Sequence, residues 1–293
     1  MISFAKLGHY GRLGNQLFQY AYLRTMARRL GVPFYCPRWD GDDIFDLDDA
    51  DERASEPIGI VHTYDPAPEA GFTPKALEIS DGTEIQGFFQ SERYYDDPAA
   101  VRSWYTFRKP IVDEVQERYG RLPLGESTSF SLRLDDDYNN TRDFFPLYPV
   151  SFYSDAARAL KQEGPILVFA DRPNRAREFL RDYRDRELVF VEDLGGPQQL
   201  YLMTQCGANV ITNSTFAWWG AWLNAVPGRR VVAPTDWTRP GVPTPIRDIL
   251  CDDWIKIPST VPVWDHFQVW RLRHPIAQVR KIRRRLRNVL RPA

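Results

Sequence analysis

The residues best suited to chemistry lie where the apolar run 208–212 gives way to a helix at Asn213-Ser214-Thr215-Phe216. Each of the first three residues can cap that helix, because its side-chain oxygen can accept from unpaired first-turn amides. Free amides and the positive end of a helix dipole also favour an anion such as a diphosphate. The alternative is a buried aromatic helix with an ordinary cap, since Trp218, Trp219 and Trp222 follow at once.

A second candidate site is the loop Gly11-Arg12-Leu13-Gly14-Asn15-Gln16, between a strand-like run and a helix. Glycines there let the backbone approach a ligand closely, while Arg12 and Asn15 supply a guanidinium and an amide. The spacing of Gly8, Gly11 and Gly14 does not fit the dinucleotide fingerprint, which argues against nicotinamide binding. A tight turn with surface polar residues is the alternative.

Charged residues also follow three further strand-like runs. Arg133 lies in an apolar strand, where an unpaired charge is costly, and its planar donors suit a phosphate. Asp135-Asp136-Asp137 comes next and could hold a divalent metal against a nucleotide diphosphate, or be a solvated acidic turn. Asp171 and Asp193 follow later strands, where a doubly wound sheet meets its ligand, although Asp also favours such turns for local reasons.

The order of elements predicts an α/β protein with parallel sheets. Strand-like runs alternate with helix-like runs from Ile2 to Phe34 and again from Phe130 to Ala233, which is typical of crossover connections. Residues 40–82 are acidic and then rich in Pro, Gly and Thr, which predicts loops with short ordered pieces. We expect an N-terminal domain at 1–125, a C-terminal domain at 126–265 and a basic amphipathic helix at 266–293.

Composition excludes several classes of protein. The net charge is −1 and hydrophobic residues make up 43%, which indicates a globular protein with no overall preference for nucleic acid. Three cysteines without metal-ligand spacing favour a reducing compartment. No run is long and apolar enough to span a bilayer, and no signal-peptide pattern begins the sequence. We therefore expect a cytoplasmic protein, with a peripheral position at the inner face of the plasma membrane as the alternative.

The C-terminal segment could bind an anionic membrane surface. From Arg271 to Arg291 it is strongly basic, and its apolar residues recur at three- and four-residue steps. A basic amphipathic helix is typical of membrane-surface binding through residues 275–291. The same periodicity would serve packing against the N-terminal domain. Nucleic acid is not expected as a partner, because no aromatic set interleaves the basic run.

Four segments together resemble the bacterial α-1,2-fucosyltransferases, glycosyltransferase family 11. Residues 11–21, GRLGNQLFQYA, match the N-terminal motif of that family nearly letter for letter. Residues 87–95 resemble its GYFQSEKYF block, residues 200–223 its third motif, and the strand of Arg133 occupies the place of its HxRxGD motif. Two departures stand out: Ser131 replaces the histidine, and Asp135-Asp136-Asp137 replaces the Gly-Asp pair.

The resemblance implies a GT-B architecture, in which two Rossmann-like, doubly wound domains face each other across a cleft. It implies that the N-terminal domain, 1–125, lies on the acceptor side and that the C-terminal domain, 126–265, binds the GDP-sugar. It implies inverting transfer of L-fucose from GDP-fucose to a hydroxyl of a surface oligosaccharide or glycolipid, such as an O-antigen, with the 2-hydroxyl of a galactoside as the expected acceptor. No cofactor and no obligatory metal are expected.

The resemblance also assigns roles to the candidate residues. Arg133 would contact the diphosphate, Arg12, Gly14, Asn15 and Gln16 would border the donor, and residues 213–216 would hold phosphate. Asp171 or Asp193 would contact guanine or ribose. Asp136 or Asp137 is the candidate general base, because an inverting transfer benefits from one. Three alternatives remain: another GDP-sugar, a metal-bound site at 135–137, and a non-catalytic glycan- or nucleotide-binding homologue.

Overall fold

A computed structural model describes residues 1–66, 71–134, 144–239, 241–242, 246 and 248–258. Its helices are α1 Leu13–Leu30, α2 Gly41–Ile44, α3 Pro98–Trp104, α4 Lys109–Tyr119, α5 Val150–Leu160, α6 Pro173–Phe179, α7 Gly196–Thr204 and α8 Thr215–Trp222. Its strands are β1 Ile2–Ser3, β2 Phe34–Tyr35, β3 Phe45–Asp46, β4 His62–Tyr64, β5 Thr83–Ile85, β6 Thr106–Phe107, β7 Thr128–Leu132, β8 Ile166–Ala170, β9 Leu188–Phe190, β10 Ala208–Val210, β11 Arg230–Pro234 and β12 Ile255–Ile257.

Two parallel sheets organise these elements, as the alternation of the sequence predicts. The first sheet has the strand order β2-β1-β5-β4, and the second has the order β12-β11-β10-β7-β8-β9. Strands β3 and β6 form a separate antiparallel pair. Every strand of the first sheet comes from residues 2–85 and every strand of the second from residues 128–257. The division at 125/126 remains a prediction.

Helix α1 is the buried centre of the first lobe. Its residues from Gly14 to Ala27 are almost all buried, including Arg24 at 1% exposure. Arg24 donates to the carbonyl oxygens of Leu47 and Asp48, each at 2.7 Å, and to Glu52. Burial acts to raise the pKa of Glu52, but hydrogen bonds from Arg24 and Arg28 outweigh it and lower that pKa to about 2. A buried charge is tolerated here because each donor has a partner.

The tryptophan-rich helix α8 joins the two lobes. Trp218, Trp219 and Trp222 are fully buried, and their cluster includes much of the first lobe rather than the second sheet alone. The ring of Phe18 on α1 lies 4.5 Å from that of Trp218 and 5.0 Å from that of Trp219. The three tryptophans are therefore core residues, as the alternative interpretation predicts. Their burial fixes α8 against α1.

Proline lies in or just before the first turn of three helices of the second lobe. Helix α6 begins at Pro173, α7 begins at Gly196 with Pro197 next, and α5 begins at Val150 after Pro149. Proline lacks only an amide that has no intrahelical partner there.

Two predicted features lie outside the described residues: the acidic run 135–137, which includes both candidate bases, and the C-terminal segment 266–293. Within the described part, no helix is long and apolar enough to cross a membrane.

Candidate functional site

The second sheet has a topological switch point between β7 and β10. From β7 the chain runs outward through β8 to β9, and from β10 it runs the opposite way through β11 to β12. All of these strands are parallel, so their carboxyl ends share one edge. Open α/β sheets bind ligands in the crevice at this point. The residues after β7 and β10 are Arg133 and the 213–216 segment, two of the predicted sites.

Arg133 follows β7 directly and is half-buried. The chain beyond it is held on both sides: the Leu134 amide donates to Asp171 at 2.8 Å, and Arg175 donates to the Leu134 carbonyl at 2.9 Å. Beneath it, the Ser131 carbonyl accepts from Tyr153 at 3.1 Å. The backbone at Arg133 is therefore fixed by the neighbouring β8 loop. Asp171, predicted as a nucleotide contact, lies beside Arg133 and anchors its segment.

The start of α8 has the features of an anion-binding site. Ser214 is the N-cap, and its hydroxyl accepts from the Ala217 amide at 3.4 Å. The side chain of Asn213 donates to the Pro146 carbonyl at 3.0 Å, which fixes the segment before the helix. The first turn carries no acidic residue. The first-turn amides of Thr215 and Phe216 have no intrahelical acceptor, and the helix dipole adds positive potential.

Gly14 brings the start of α1 against the start of α8. A Cβ at Gly14 would lie 2.5 Å from the Phe216 amide nitrogen and 2.6 Å from the carbonyl carbon and hydroxyl oxygen of Thr215. The Trp219 indole donates to the Gly14 carbonyl at 3.0 Å. Only glycine fits such an approach without displacing backbone. Gly14 therefore sets the distance between the two predicted sites, which lie about 200 residues apart in sequence.

The remaining residues of the N-terminal motif have different positions. Arg12 is exposed and forms the N-cap of α1, whose first turn also lacks acidic residues. Asn15 is half-buried and accepts from the side-chain amide of Gln90 at 2.9 Å. Gln16 is buried beneath the loop, where it donates to the Gly11 carbonyl at 3.2 Å. Arg12 and Asn15 therefore border the α1–α8 contact, while Gln16 supports the loop from below.

Asp193 lies apart from this group. It follows β9, the outer strand of the second sheet, and accepts from Tyr119 at 2.5 Å and from Arg118 at 3.2 Å. These hydrogen bonds, that of Tyr119 first, lower the pKa of Asp193 despite a small opposing effect of burial. One strand, β8, lies between the strand before Asp193 and the strand before Arg133. The structure thus gives this carboxylate partners on α4.

Two glutamines that the sequence analysis did not select help to shape the site. Gln19 is fully buried and donates to the Tyr10 carbonyl at 3.0 Å and to the Gly87 carbonyl at 3.1 Å. Gln90 connects its own loop to Asn15. A sequence signal existed, because an amide among the apolar residues of a buried helix needs hydrogen-bond partners. Their identity depends on which loops meet, which the sequence does not show.

Within the residues that the structure describes, no group of three or more His, Cys, Asp or Glu side chains could hold a metal ion. The acidic run 135–137, the residues proposed for a metal-bound alternative, lies outside that part of the chain.

Solved structures with a similar fold are fucosyltransferases. The crystal structure of POFUT1 in complex with GDP is 12% identical, has a TM-score of 0.52, and the match covers 79% of this chain and 97% of that chain. NodZ α-1,6-fucosyltransferase co-crystallized with GDP, an enzyme from Bradyrhizobium, is also 12% identical, with a TM-score of 0.51 and coverage of 75% and 91%. The predicted GT-B architecture is confirmed.

Sequence comparisons find a similar family over part of the chain. Residues 158–257 match the family model Glycosyl transferase family 11. An α-1,2-colitosyltransferase of Escherichia coli is 25% identical over 262 residues, 78% of this chain and 90% of the relative. The O-antigen biosynthesis glycosyltransferase WbnK of Escherichia coli is 31% identical over 117 residues, 38% of this chain and 39% of the relative. The resemblance to family 11 that the motifs predict is thus confirmed for residues 158–257.

Proposed function

We propose that the protein transfers L-fucose, or a closely related sugar, from its GDP-linked donor to a hydroxyl of a surface oligosaccharide. One observation carries the proposal: Arg133 and the starts of α8 and α1 converge at the switch point of the second sheet. The diphosphate would lie there, between the Arg133 guanidinium and the first-turn amides of α8. Arg12 would approach the same anion from the first lobe.

This arrangement suits the chemistry of transfer. As the bond between the sugar and GDP breaks, the sugar gains oxocarbenium character and the diphosphate gains negative charge. Fixed donors stabilise that charge without reorganising, and each contributes on the order of 3 kcal/mol. Arg133 is fixed in this sense, because Asp171 and Arg175 hold the backbone next to it. We propose inversion at the sugar carbon, with Asp136 or Asp137 as base and no obligatory metal.

The proposed donor sugar and acceptor are based on the descriptions of the similar proteins. One is described as an α-1,2-colitosyltransferase and another as an O-antigen biosynthesis glycosyltransferase, and the structural neighbours were solved with GDP. We therefore propose a GDP-linked donor and α-1,2 transfer to a galactoside of a surface polysaccharide. A colitosyl donor is the second candidate, because the relative that matches most of this chain carries that name.

The test is the release of GDP from GDP-fucose with lactose as acceptor. We expect Arg133→Ala to lower kcat by about 10²–10³-fold, the usual cost of removing one such donor, while the protein stays folded. Arg121→Ala is the matched control, because Arg121 is exposed and precedes β7 at the opposite edge of the sheet. Near-normal turnover of the Arg133 variant would remove that residue from the mechanism.

A chelator distinguishes the metal-dependent alternative from the metal-free mechanism that we propose. Our proposal predicts that EDTA leaves the rate unchanged. If EDTA abolishes transfer and Mn²⁺ or Mg²⁺ restores it, a metal at the 135–137 segment replaces the metal-free mechanism. Tight GDP binding without turnover on any galactoside would favour a non-catalytic homologue.

A further inference from the structure

We propose that Tyr10 and Phe88 form an aromatic platform on the first lobe that stacks against a pyranose ring of the acceptor galactoside. Their rings lie 4.6 Å apart and nearly parallel, with 15° between the planes. Tyr10 is 40% exposed, and it supplies the one aromatic ring among the exposed large hydrophobic residues of the described chain. The proposal rests on the proposed function and adds the place where the acceptor binds.

The platform lies at the carboxyl edge of the first sheet. Strands β1 and β5 are parallel neighbours at the centre of that sheet, so their following loops leave from the same edge. Tyr10 lies in the loop that follows β1, and Phe88 lies in the loop that follows β5. Ligands of open α/β sheets bind at the carboxyl ends of the strands. In the second sheet the proposed diphosphate site lies at the corresponding edge, so each lobe presents the carboxyl ends of its central strands.

A buried glutamine fixes the two loops together. Gln19 donates one hydrogen bond to the carbonyl of Tyr10 and another to that of Gly87, the residue before Phe88. Because Gln19 is fully buried on α1, both loops are tied to the rigid centre of the lobe. The stacked pair is therefore held in place before any ligand arrives, which reduces the entropy lost on binding.

The backbone next to the platform is strained. Gly87 has a φ of +130°, and Phe89 has a φ of +51°, which is uncommon for a residue with a side chain. The ring of Phe89 is buried and stacked on Tyr22 at 3.7 Å. Such strain persists only where the surroundings impose it, and it is concentrated at functional sites. Here it turns Phe88 away from the core, while Phe89 points into it.

The surroundings match the chemistry of a sugar. Aromatic faces are partly negative and attract the polarised C–H groups of a pyranose ring. Ligand sites combine such faces with a few polar groups that fix orientation. Lys6 and Gln86 provide them at the same edge, where the Lys6 ammonium donates to the side-chain amide oxygen Oε1 of Gln86 at 2.8 Å. Neither lobe would need a conformational change to offer this surface.

The platform is also close enough to the donor for transfer. Tyr10 and Arg12 are two residues apart, so their Cα atoms lie within about 7 Å. Arg12 begins α1, which Gly14 places against the start of α8. A ring stacked on Tyr10 would therefore lie beside the sugar of the bound donor. The loop 8–14 would touch both substrates.

The test measures acceptor and donor constants separately, with GDP-fucose as donor and lactose as acceptor. We expect Tyr10→Ala and Phe88→Ala each to raise the KM for lactose about tenfold, which corresponds to about 1.4 kcal/mol. The KM for GDP-fucose should change less than twofold. Tyr10→Trp keeps an aromatic face and should keep the wild-type KM for lactose. Val61→Ala, which trims another exposed apolar side chain, is the matched control.

Each outcome decides the proposal. Unchanged KM for lactose in both alanine variants would overturn the platform while leaving the proposed function intact. Equal increases in both KM values would also overturn it, since a loosened lobe would affect both substrates. Saturation-transfer NMR of lactose with the GDP-loaded protein gives a second measurement: loss of the ring-proton signal in Tyr10→Ala supports stacking. Failure of the wild-type protein to bind or use lactose overturns the galactoside assignment.

Discussion

Replacement of Gly14 by alanine tests how the two lobes are joined. The added Cβ would lie 2.5 Å from the Phe216 amide nitrogen, and ordinary contacts begin at 3.4 Å, with 3.0 Å the closest tolerated. The first turns of α1 and α8 must therefore separate by about 0.5–0.9 Å. Backbone atoms form the contact, so a side-chain rotation cannot relieve it.

The expected effect on stability is modest. Overpacking costs about 1–3 kcal/mol, whereas alanine is favoured over glycine inside a helix by about 1 kcal/mol. The net loss in the free energy of unfolding is thus about 0–2 kcal/mol. The effect on activity should be larger, because a displacement of about 1 Å between positioning groups can cost about 100-fold in rate.

The assay compares turnover, GDP affinity and thermal unfolding of Gly14→Ala with those of Gly196→Ala. Gly196 begins α7 and would have no heavy atom within 4 Å of an added Cβ, so its variant should behave like the wild-type protein. A Gly14 variant with normal turnover and normal GDP affinity would refute the reasoning. A variant whose turnover falls only as much as its loss of folded protein explains would also refute the reasoning.

Two further predictions concern carboxylates. The lowered pKa of Glu52 adds stability that is fully present above about pH 4.5 and is lost as pH falls toward 2. Because Glu52 is partly exposed, solvent screening reduces this contribution to about 1 kcal/mol. Acid unfolding of Glu52→Gln should lack that contribution, while the exposed Glu178→Gln should retain it; identical pH profiles would contradict the pairing with Arg24. Asp171→Ala should lower kcat about tenfold by releasing the Leu134 amide. Asp171→Asn keeps an acceptor oxygen and should therefore retain most of the wild-type rate. Equal rates in both variants would contradict this positioning role.

The sequence predicts most of the helices and strands, because hydrophobic periodicity and the positions of helix- and strand-breaking residues are local properties. The parallel sheets and the helix cap within residues 213–215, which is Ser214, agree with the prediction. The predicted resemblance to family 11 and the GT-B class is confirmed. Site roles remain predictions, because they depend on ligands.

Other features depend on contacts between distant segments. The sequence predicts that Gly14 is an ordinary loop glycine, yet in the structure it lies against the backbone of Thr215 and Phe216. The amides of Gln19 and Gln90 serve carbonyl and amide groups up to 75 residues away. No local pattern specifies these pairings, since they form only when segments distant in the sequence meet in the fold. The sequence therefore identifies candidate phosphate-binding residues, but it does not identify the contacts between distant segments that position them.

The central claim is that Arg133 and the start of α8 bind the diphosphate of a GDP-linked sugar. Titration calorimetry with GDP tests it most directly, on the wild-type protein, Arg133→Ala and Arg121→Ala. We predict measurable binding by the wild-type protein and the Arg121 variant, and at least tenfold weaker binding by the Arg133 variant. Equal affinity in all three proteins, or no heat of binding with the wild-type protein, would contradict the claim.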